Sequence, residues 1–464
     1  MKTKERQPMA IAKALAAAAL AAALAACAKG GGTTEAQARQ TEAAAVLPST
    51  DAGGGAKNNT VDGVEFTRNG RTLSRYPATK ADGHYLVPST VEEIADGAFA
   101  GNRKLKTIVL PYSVKKIGSA AFEGCTALVS AEVPDTVEEI GDALFAGCTS
   151  LRTCTLPEKL EEIPYGTFMG CASLEKAVFT KGTRRIGQSA FEGCSSIKSV
   201  DIPGKVREIP AKAFYRCASL KSARLHGGVE SVAPYAFAET GLATVDIPPS
   251  LTDIGECAFN DCHSLRSINV PQGNSAYRSD EGMLLSKNGS SLHAYPAGKE
   301  AETFSIPIFI TRIEPSAFHG NRHLKRVGIP AGVREISYDA FAGCASLASV
   351  EISGSVERIK AGAFSGCASL ASVSLSEGLE EIEALAFEGC ERLRRISIPS
   401  TVRSVGSSAF RGCASLATIS FASKSGWTYA PPPGFERKAV EPKDLAAGNF
   451  TAEGGKFYSA ELSK

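Results

Sequence analysis

Cysteine is the residue type with the most chemistry to offer in this chain, which has thirteen of them. A regular row of thiols can form disulfides, bind metal ions, or lie buried as small apolar side chains. In a stack of parallel strands, equivalent Cβ atoms point the same way about 4.8 Å apart, outside the usual disulfide range of about 3.5–4.5 Å. The spacing therefore predicts buried thiols at the ten cysteines that follow a phenylalanine by three residues: Cys125, Cys148, Cys171, Cys194, Cys217, Cys262, Cys344, Cys367, Cys390 and Cys413.

Three cysteines fall outside this row. Cys154 occupies an inward position of a predicted strand and is assigned to the core. Cys257 lies five residues before Cys262, and for this pair a disulfide stays open as an alternative to two thiols. The third is Cys27, which belongs to the N-terminal segment.

No other pattern predicts catalysis or a metal site. His319 and His323 have the spacing of neighbouring helical ligands, but no glutamate or third ligand accompanies them. There is no Gly-x-Ser-x-Gly motif, Walker loop or dinucleotide fingerprint. A net charge of +2 and a pI of about 7.9 provide no basic field for nucleic acid. We therefore expect a protein that is not an enzyme, with no cofactor, no metal and no nucleic-acid partner.

The N-terminus has the features of an export signal. Lys2, Lys4 and Arg6 give the chain a positively charged start, and an alanine- and leucine-rich stretch follows at 14–26. That stretch is shorter than the roughly 20 residues that span a bilayer. The sequence Leu-Ala-Ala-Cys that ends at Cys27 resembles a bacterial lipobox, which implies that Cys27 is acylated. The alternative is an ordinary signal peptide followed by a chance cysteine. Ala28, in place of an aspartate, favours the outer membrane by analogy with lipoprotein sorting.

Phenylalanine marks an internal repeat. A fixed period in the twenties predicts a solenoid, in which each unit buries its apolar face against its neighbours. Thirteen phenylalanines recur every 23 residues, apart from one interval of 22 and one of 59: Phe99, Phe122, Phe145, Phe168, Phe191, Phe214, Phe237, Phe259, Phe318, Phe341, Phe364, Phe387 and Phe410.

Residues 333–352 show the repeat unit. Val-x-x-Ile is followed by Ala-Phe, then Gly-Cys, and then Leu-x-x-Val-x-Ile, which alternates as a strand with one buried face does. The Ala-Phe segment is too short for a long helix and predicts a helical turn or bend. The fold class that follows is a solenoid, mainly β with short helical turns, whose parallel sheet has about thirteen repeats of 23 residues.

The period, the Ala-Phe and Gly-Cys pairs and the strand pattern together resemble the BspA-like leucine-rich-repeat family of bacterial surface proteins. The resemblance covers about residues 62–421. It implies a leucine-rich-repeat solenoid and a role in adhesion to host matrix proteins and to other cells.

Two segments share one pattern before a run of repeats. Asp62 lies 37 residues before Phe99 and Glu281 lies 37 residues before Phe318, and each segment continues with Asn-Gly and then Tyr-Pro. Asn-Gly between short apolar runs is a strong hairpin signal. We therefore predict an N-terminal β-hairpin cap and a β-hairpin insert that joins two arcs of the solenoid.

These boundaries define the expected organisation of the chain. After the last repeat, Trp427, Tyr429 and Phe435 are candidates to cover its apolar end. The segments are a signal peptide at 1–26, the lipidated cysteine with a disordered linker at 27–60, a hairpin cap at 61–90, repeats 1–8 at 91–271, a hairpin insert at 272–305, repeats 9–13 at 306–423, and a C-terminal cap and tail at 424–464.

The outward positions of the predicted strands are the candidate binding surface. They carry mostly serine and threonine, without the aromatic anchors of strong hot spots. The alternative is that these small side chains only solvate the sheet. The candidate ligand-binding residues are Thr107, Glu132, Thr155, Lys176, Asp201, Arg224, Asp246 and Asn269.

Together these features predict a lipid-anchored protein of the cell envelope, in the outer membrane or on the cell surface, that contacts the membrane through its N-terminal lipid. We expect it to bind a protein or matrix ligand through an extended repeat surface. The alternative function is a structural or scaffolding lipoprotein without a host partner.

Overall fold

Most repeats contribute two short strands to the fold, and the sequence pattern predicts only one of the two. The computed structural model describes residues 59–423, 425–430, 438–439 and 461–463. The predicted solenoid is confirmed as a parallel-strand structure of about 15 turns of ~23 residues with nearly no helix. It forms two compact units, Met1–Lys198 and Ser199–Lys464. Cys27 and the predicted signal peptide and linker lie outside the described residues, apart from the linker's last two positions.

The first unit begins with an antiparallel sheet of three strands and continues as parallel ladders. A single 3-10 turn spans Arg68–Gly70. The strands are β1 (Asn59–Val61), β2 (Val64–Thr67), β3 (Thr72–Arg75), β4 (His84–Leu86), β5 (Glu93–Ile94), β6 (Thr107–Val109), β7 (Lys116–Ile117), β8 (Ser130–Glu132), β9 (Glu139–Ile140), β10 (Thr153–Thr155), β11 (Glu162–Ile163) and β12 (Arg185–Ile186).

The second unit contains its own antiparallel three-stranded sheet, β20–β22, in the middle of its repeats. The strands are β13 (Ser199–Asp201), β14 (Glu208–Ile209), β15 (Ser222–Arg224), β16 (Ser231–Val232), β17 (Thr244–Asp246), β18 (Asp253–Ile254), β19 (Ser267–Asn269), β20 (Tyr277–Asp280), β21 (Met283–Ser286), β22 (Ser291–Ala294), β23 (Thr303–Ser305), β24 (Arg312–Ile313), β25 (Arg326–Ile329), β26 (Glu335–Ile336), β27 (Ser349–Ile352), β28 (Arg358–Ile359), β29 (Ser372–Ser374), β30 (Glu381–Ile382), β31 (Arg395–Ile398), β32 (Ser404–Val405), β33 (Thr418–Phe421), β34 (Thr428–Ala430), β35 (Lys438–Ala439) and β36 (Glu461–Ser463).

The Leu-x-x-Val-x-Ile strands pair in register, one repeat apart. In the first unit they form the ladder β4-β6-β8-β10, and in the second unit β23-β25-β27-β29 is the longest such ladder. We call the outward side of these strands, in each unit separately, the strand face. Their inward residues, such as Val327 and Val350, are buried.

A second wall is formed by two-residue strands, most of which have a charged residue followed by isoleucine. Its ladders are β5-β7-β9 and β11-β12 in the first unit, and β14-β16-β18 and β24-β26-β28-β30-β32 in the second. The charged residue points outward and the isoleucine inward, as in Glu335–Ile336. The sequence pattern did not predict these strands, because two residues are too few to show a period of two.

The phenylalanines form the centre of the core. Phe318, Phe341 and Phe364 are fully buried, and their rings stack with centroids 4.5 and 5.3 Å apart. The predicted helical turn is present as a run of hydrogen-bonded turns without a helix. We call the side of the solenoid that these turns form the turn wall. Two positions in this wall have a left-handed backbone, and the second, two residues after the phenylalanine, is usually glycine, as at Gly343 with φ 70°.

The two hairpins of the sequence analysis are each three antiparallel strands. We call β1–β3 the first cap and β20–β22 the second cap. The last strand of each cap pairs in parallel with the first short strand that follows, β3 with β5 and β22 with β24. Tyr76 and Tyr295 then stack on Phe99 and Phe318 at the same centroid distance, 5.0 Å. Each cap thus takes the place of a preceding repeat in the stack.

One predicted strand is absent. Residues 176–178 of the fourth repeat form no strand, so Lys176 lies in a bend and not on a ladder. The inward positions there are Ala177 and Phe179, a combination that no other repeat has. Ala177 fills little space, and Phe179 packs edge-on against Phe191 at 5.4 Å. We attribute the missing strand to this repacking.

The end of the second unit is covered by chain from the C-terminal tail. Trp427 is buried as predicted, and its Nε1 donates to the carbonyl of Ser423 at 2.9 Å. β36 pairs antiparallel with both β32 and β34, and its Leu462 is fully buried. Tyr429 lies in β34, and Phe435 is outside the described residues. The role of Leu462 was not predicted from the sequence.

Candidate functional site

The strand face of the first unit holds three of the four candidate residues predicted there. Glu132 and Thr155 are exposed and lie opposite each other on β8 and β10. Thr107 on β6 is half-buried, because its Oγ1 lies 2.5 Å from Nδ1 of His84. Lys176 is exposed but lies off the ladder. The first unit therefore presents an open polar strip with few charges.

The strand face of the second unit places its four candidates in two neighbouring pairs. Asp201 lies opposite Arg224 on β13 and β15, and Asp246 lies opposite Asn269 on β17 and β19. All four are exposed. Nδ2 of Asn269 donates to Asp246 at 2.8 Å, and Nε2 of His226 lies 2.7 Å from Oδ1 of Asp201.

These contacts restrict what the strand face can do. Short polar side chains in register present donors and acceptors on a nearly flat surface, which suits contact with another chain more than enclosure of a small molecule. Within residues 59–423 and the other described segments, no group of three His, Cys, Asp or Glu residues could hold a metal ion. The strand face is therefore suited to contact with another chain.

A small pocket lies away from the strand face, between the eighth repeat and the second cap. Its volume is about 220 Å³, and Cys257, Tyr295 and His319 are among its lining residues. The Tyr295 hydroxyl is buried without a hydrogen-bond partner, and burial raises its pKa to about 12. The hydroxyl of Tyr76 in the first cap is unpaired in the same way. The unpaired tyrosine is thus a shared feature of the caps and does not indicate a ligand.

The cysteine row is a ladder of buried thiols, as the spacing predicts. In nine of the ten, Sγ donates to the carbonyl of the phenylalanine in the preceding repeat, for example Cys344 to Phe318 at 3.2 Å and Cys367 to Phe341 at 3.2 Å. Burial raises the pKa of Cys344 to about 12. No disulfide is present among the described cysteines, Cys257 and Cys262 included. High pKa values and burial make these thiols poor nucleophiles.

We expect alkylation to distinguish the buried row from the two cysteines outside it. In a Cys27→Ser chain under native conditions, a thiol reagent should label Cys257 first, Cys154 more slowly because burial raises its pKa, and the row last. Denaturant without reductant should then expose the other ten. Mass spectrometry of labelled peptides gives the count. A Cys257→Ser chain should lose one early label, and thiols that react only after reduction would contradict the ladder.

The turn wall carries exposed residue types that the sequence analysis did not single out. Tyr165 in the first unit and Tyr235 and Tyr338 in the second are 43–48% exposed. The Lys360 ammonium lies 4.9 Å from the centre of the Tyr338 ring. Tyrosine is common in binding hot spots. In the sequence, each of them is a tyrosine at a repeat position where most other repeats have a small or polar residue.

The charged residues of the short-strand wall neutralise one another. Ion pairs link equivalent positions one repeat apart, as between Arg184 and Glu161 at 3.2 Å and between Arg185 and Glu162 at 2.8 Å. All four side chains are largely exposed, so each pair contributes only tenths of a kcal/mol. This wall offers no uniform field for a charged partner.

Within the described part of the chain, no helix is long and apolar enough to cross a membrane.

Comparison with known proteins agrees with this geometry. The profile of the BspA type leucine rich repeat region matches in six copies over residues 84–198, 161–280 and 293–424. A leucine-rich cell surface protein of Faecalibacterium prausnitzii is 29% identical, with a TM-score of 0.60 over 82% of this chain and 96% of that one.

Two more distant solved structures also align. A leucine-rich repeat protein of Bacteroides ovatus is 22% identical, with a TM-score of 0.40 over 79% of this chain and 90% of that one. The pneumococcal vaccine antigen PcpA is 20% identical, with a TM-score of 0.38 over 79% and 77%. No protein of curated function matches. The family profile covers most of the sequence, and the chain therefore belongs to the BspA-type leucine-rich-repeat family.

Proposed function

We propose that this chain is an exported, lipid-anchored protein of the cell envelope that binds proteins or other macromolecules along its strand faces. Its biological role would be adhesion to host matrix proteins or to other cells. The family and the likeness to a leucine-rich cell surface protein support export and a binding role. The lipobox-like segment supports an anchor at Cys27, in the outer membrane or at the cell surface.

The observation that carries the proposal is the exposed polar register of the strand face. Asp201, Arg224, Asp246 and Asn269 present both signs of charge and an amide on neighbouring strands of one unit. Such short side chains leave the backbone surface open to an approaching chain. Without aromatic anchors, affinity should come from many weak contacts, and clustering on a membrane would raise avidity without new contacts.

The test compares two surfaces of the second unit. Beads displaying many copies of the protein are applied to coated extracellular-matrix proteins. A chain with alanine at residues 201, 224, 246 and 269 should lose adhesion, whereas Arg224→Ala alone should change it little. Tyr235→Ser with Tyr338→Ser, on the turn wall, is the matched control. Adhesion lost in the tyrosine variant only would move the site to the turn wall, and no adhesion by any chain would favour a scaffold.

The proposed anchor makes a separate prediction. Cys27→Ser should release the protein from membranes, because the acyl chains that would hold it, at about 0.8 kcal/mol per buried methylene, can no longer be attached. Detergent-phase partitioning of cell extracts measures this. A variant that partitions as the unsubstituted chain does would show that Cys27 is not the anchor.

A further inference from the structure

The second cap meets the eighth repeat at a junction that we define as residues 254–269, 277–300 and 312–323, all within the second unit. Ile268 N donates to the carbonyl of Gly282 at 2.9 Å, and Gly298 N donates to that of Leu265 at 2.8 Å. At this junction, hydrogen bonds between the eighth repeat and the second cap thus take the place of the hydrogen bonds that link one repeat to the next.

Histidine is concentrated at this junction, which holds four of the six histidines of the chain. Oδ1 of Asp261, from the eighth repeat, lies 3.4 Å from Nδ1 of His319 in the ninth repeat. The same oxygen is 4.0 Å from Nε2 of His263. One carboxylate therefore sits between two imidazoles that come from opposite sides of the junction.

The surroundings of His263 disfavour its charged form. Burial lowers its pKa most, and the nearby Arg322 lowers it further, with a smaller contribution from His319 in the same direction. Asp261 and a backbone hydrogen bond with Gly320 oppose these effects but do not outweigh them. The pKa of Asp261 is itself held below its ordinary value, chiefly by His319, so this carboxylate stays ionised at mildly acidic pH.

A second histidine of the junction behaves in the same way. His293 on β22 packs edge-on against Tyr277, with ring centroids 5.2 Å apart. Burial lowers its pKa, and Arg312 adds to the effect while Glu314 opposes it. Both histidines are therefore half-buried rings whose surroundings disfavour the charged form, one on each side of the junction.

We propose that this histidine cluster makes the junction acid-sensitive, so that the eighth repeat and the second cap separate locally as the pH falls from about 7 to about 5. A histidine whose pKa is lowered by folding contributes stability above its unfolded pKa of about 6.5, and that contribution is lost as the pH falls. His263 and His293 act in the same direction. The response of Asp261 belongs to a lower pH range, because its unfolded pKa is about 3.9. This acid response is independent of the proposed binding role.

Hydrogen exchange of the full chain at pH 7 and pH 5, corrected for intrinsic exchange rates, tests the proposal. We expect the protection factors of residues 254–300 to fall several-fold more than those of residues 333–387. Equal changes in the two regions of the unsubstituted chain would overturn the proposal without any variant.

Neutral substitutions identify the groups responsible. His263→Gln with His293→Gln should remove the extra loss of protection at pH 5, because glutamine cannot become charged. His226→Gln, on the strand face beside Asp201, is the control and should leave the loss unchanged. A double variant that folds and still shows the full pH response would also overturn the proposal.

Discussion

Replacing Phe341 with alanine is expected to lower the free energy of unfolding of the second unit by about 3–5 kcal/mol. The ring is fully buried and stacks between Phe318 and Phe364, at centroid distances of 4.5 and 5.3 Å. Its removal leaves a cavity between two layers that cannot approach each other, because their strands are already paired with β27. The loss therefore includes both burial and ring stacking.

The damage should remain local, because each repeat contacts mainly its neighbours. Hydrogen exchange should accelerate over residues 318–387 and much less over residues 199–224 of the same unit. Tyr338→Ala removes an exposed ring from the same repeat and is the matched control. Uniform loss of protection along the unit after Phe341→Ala would contradict a solenoid of nearest-neighbour contacts.

The sequence predicted the features that repeat with the period. The phenylalanine row, the buried thiols and the inward strand residues all follow from stacking equivalent positions, and the structure confirms them. The hydrogen-bond partners of the strand face were not predictable in the same way. The contact of His226 with Asp201 joins residues of different repeats at unequal positions, so it depends on side-chain reach as well as on register.

Departures from the period were harder to predict. The fourth repeat keeps its phenylalanine and cysteine, yet it forms no strand, although β8 and β15 form with an alanine, Ala131 or Ala223, at the position of Ala177. Leu462, in a tail without any repeat, pairs with Val405 of the last repeat. The two residues are far apart in the chain, and no local sequence pattern predicts their pairing. Both cases are decided by packing between segments, which a repeat pattern does not describe.

The first repeat after each cap has asparagine in place of the usual cysteine, and the structure shows why. Oδ1 of Asn321 accepts hydrogen bonds from the backbone N–H groups of His323 and Leu324, both at 2.9 Å. Its Nδ2 donates to the carbonyl of Pro296 in the second cap at 3.4 Å. Asn102 makes the same contacts after the first cap. A thiol has one weak donor and cannot satisfy all three groups.

Asn321→Ala should therefore destabilise the second unit by about 2–4 kcal/mol, because it leaves two N–H groups and a carbonyl without partners where Asn321 is fully buried. Denaturant unfolding measures the loss, and exchange should accelerate most in the second cap and the ninth repeat. Cys344→Ala, at the equivalent position one repeat later, removes one weak hydrogen bond and should cost less. If Asn321→Cys were as stable as the unsubstituted chain, the asparagine would not be what joins the cap to the repeats.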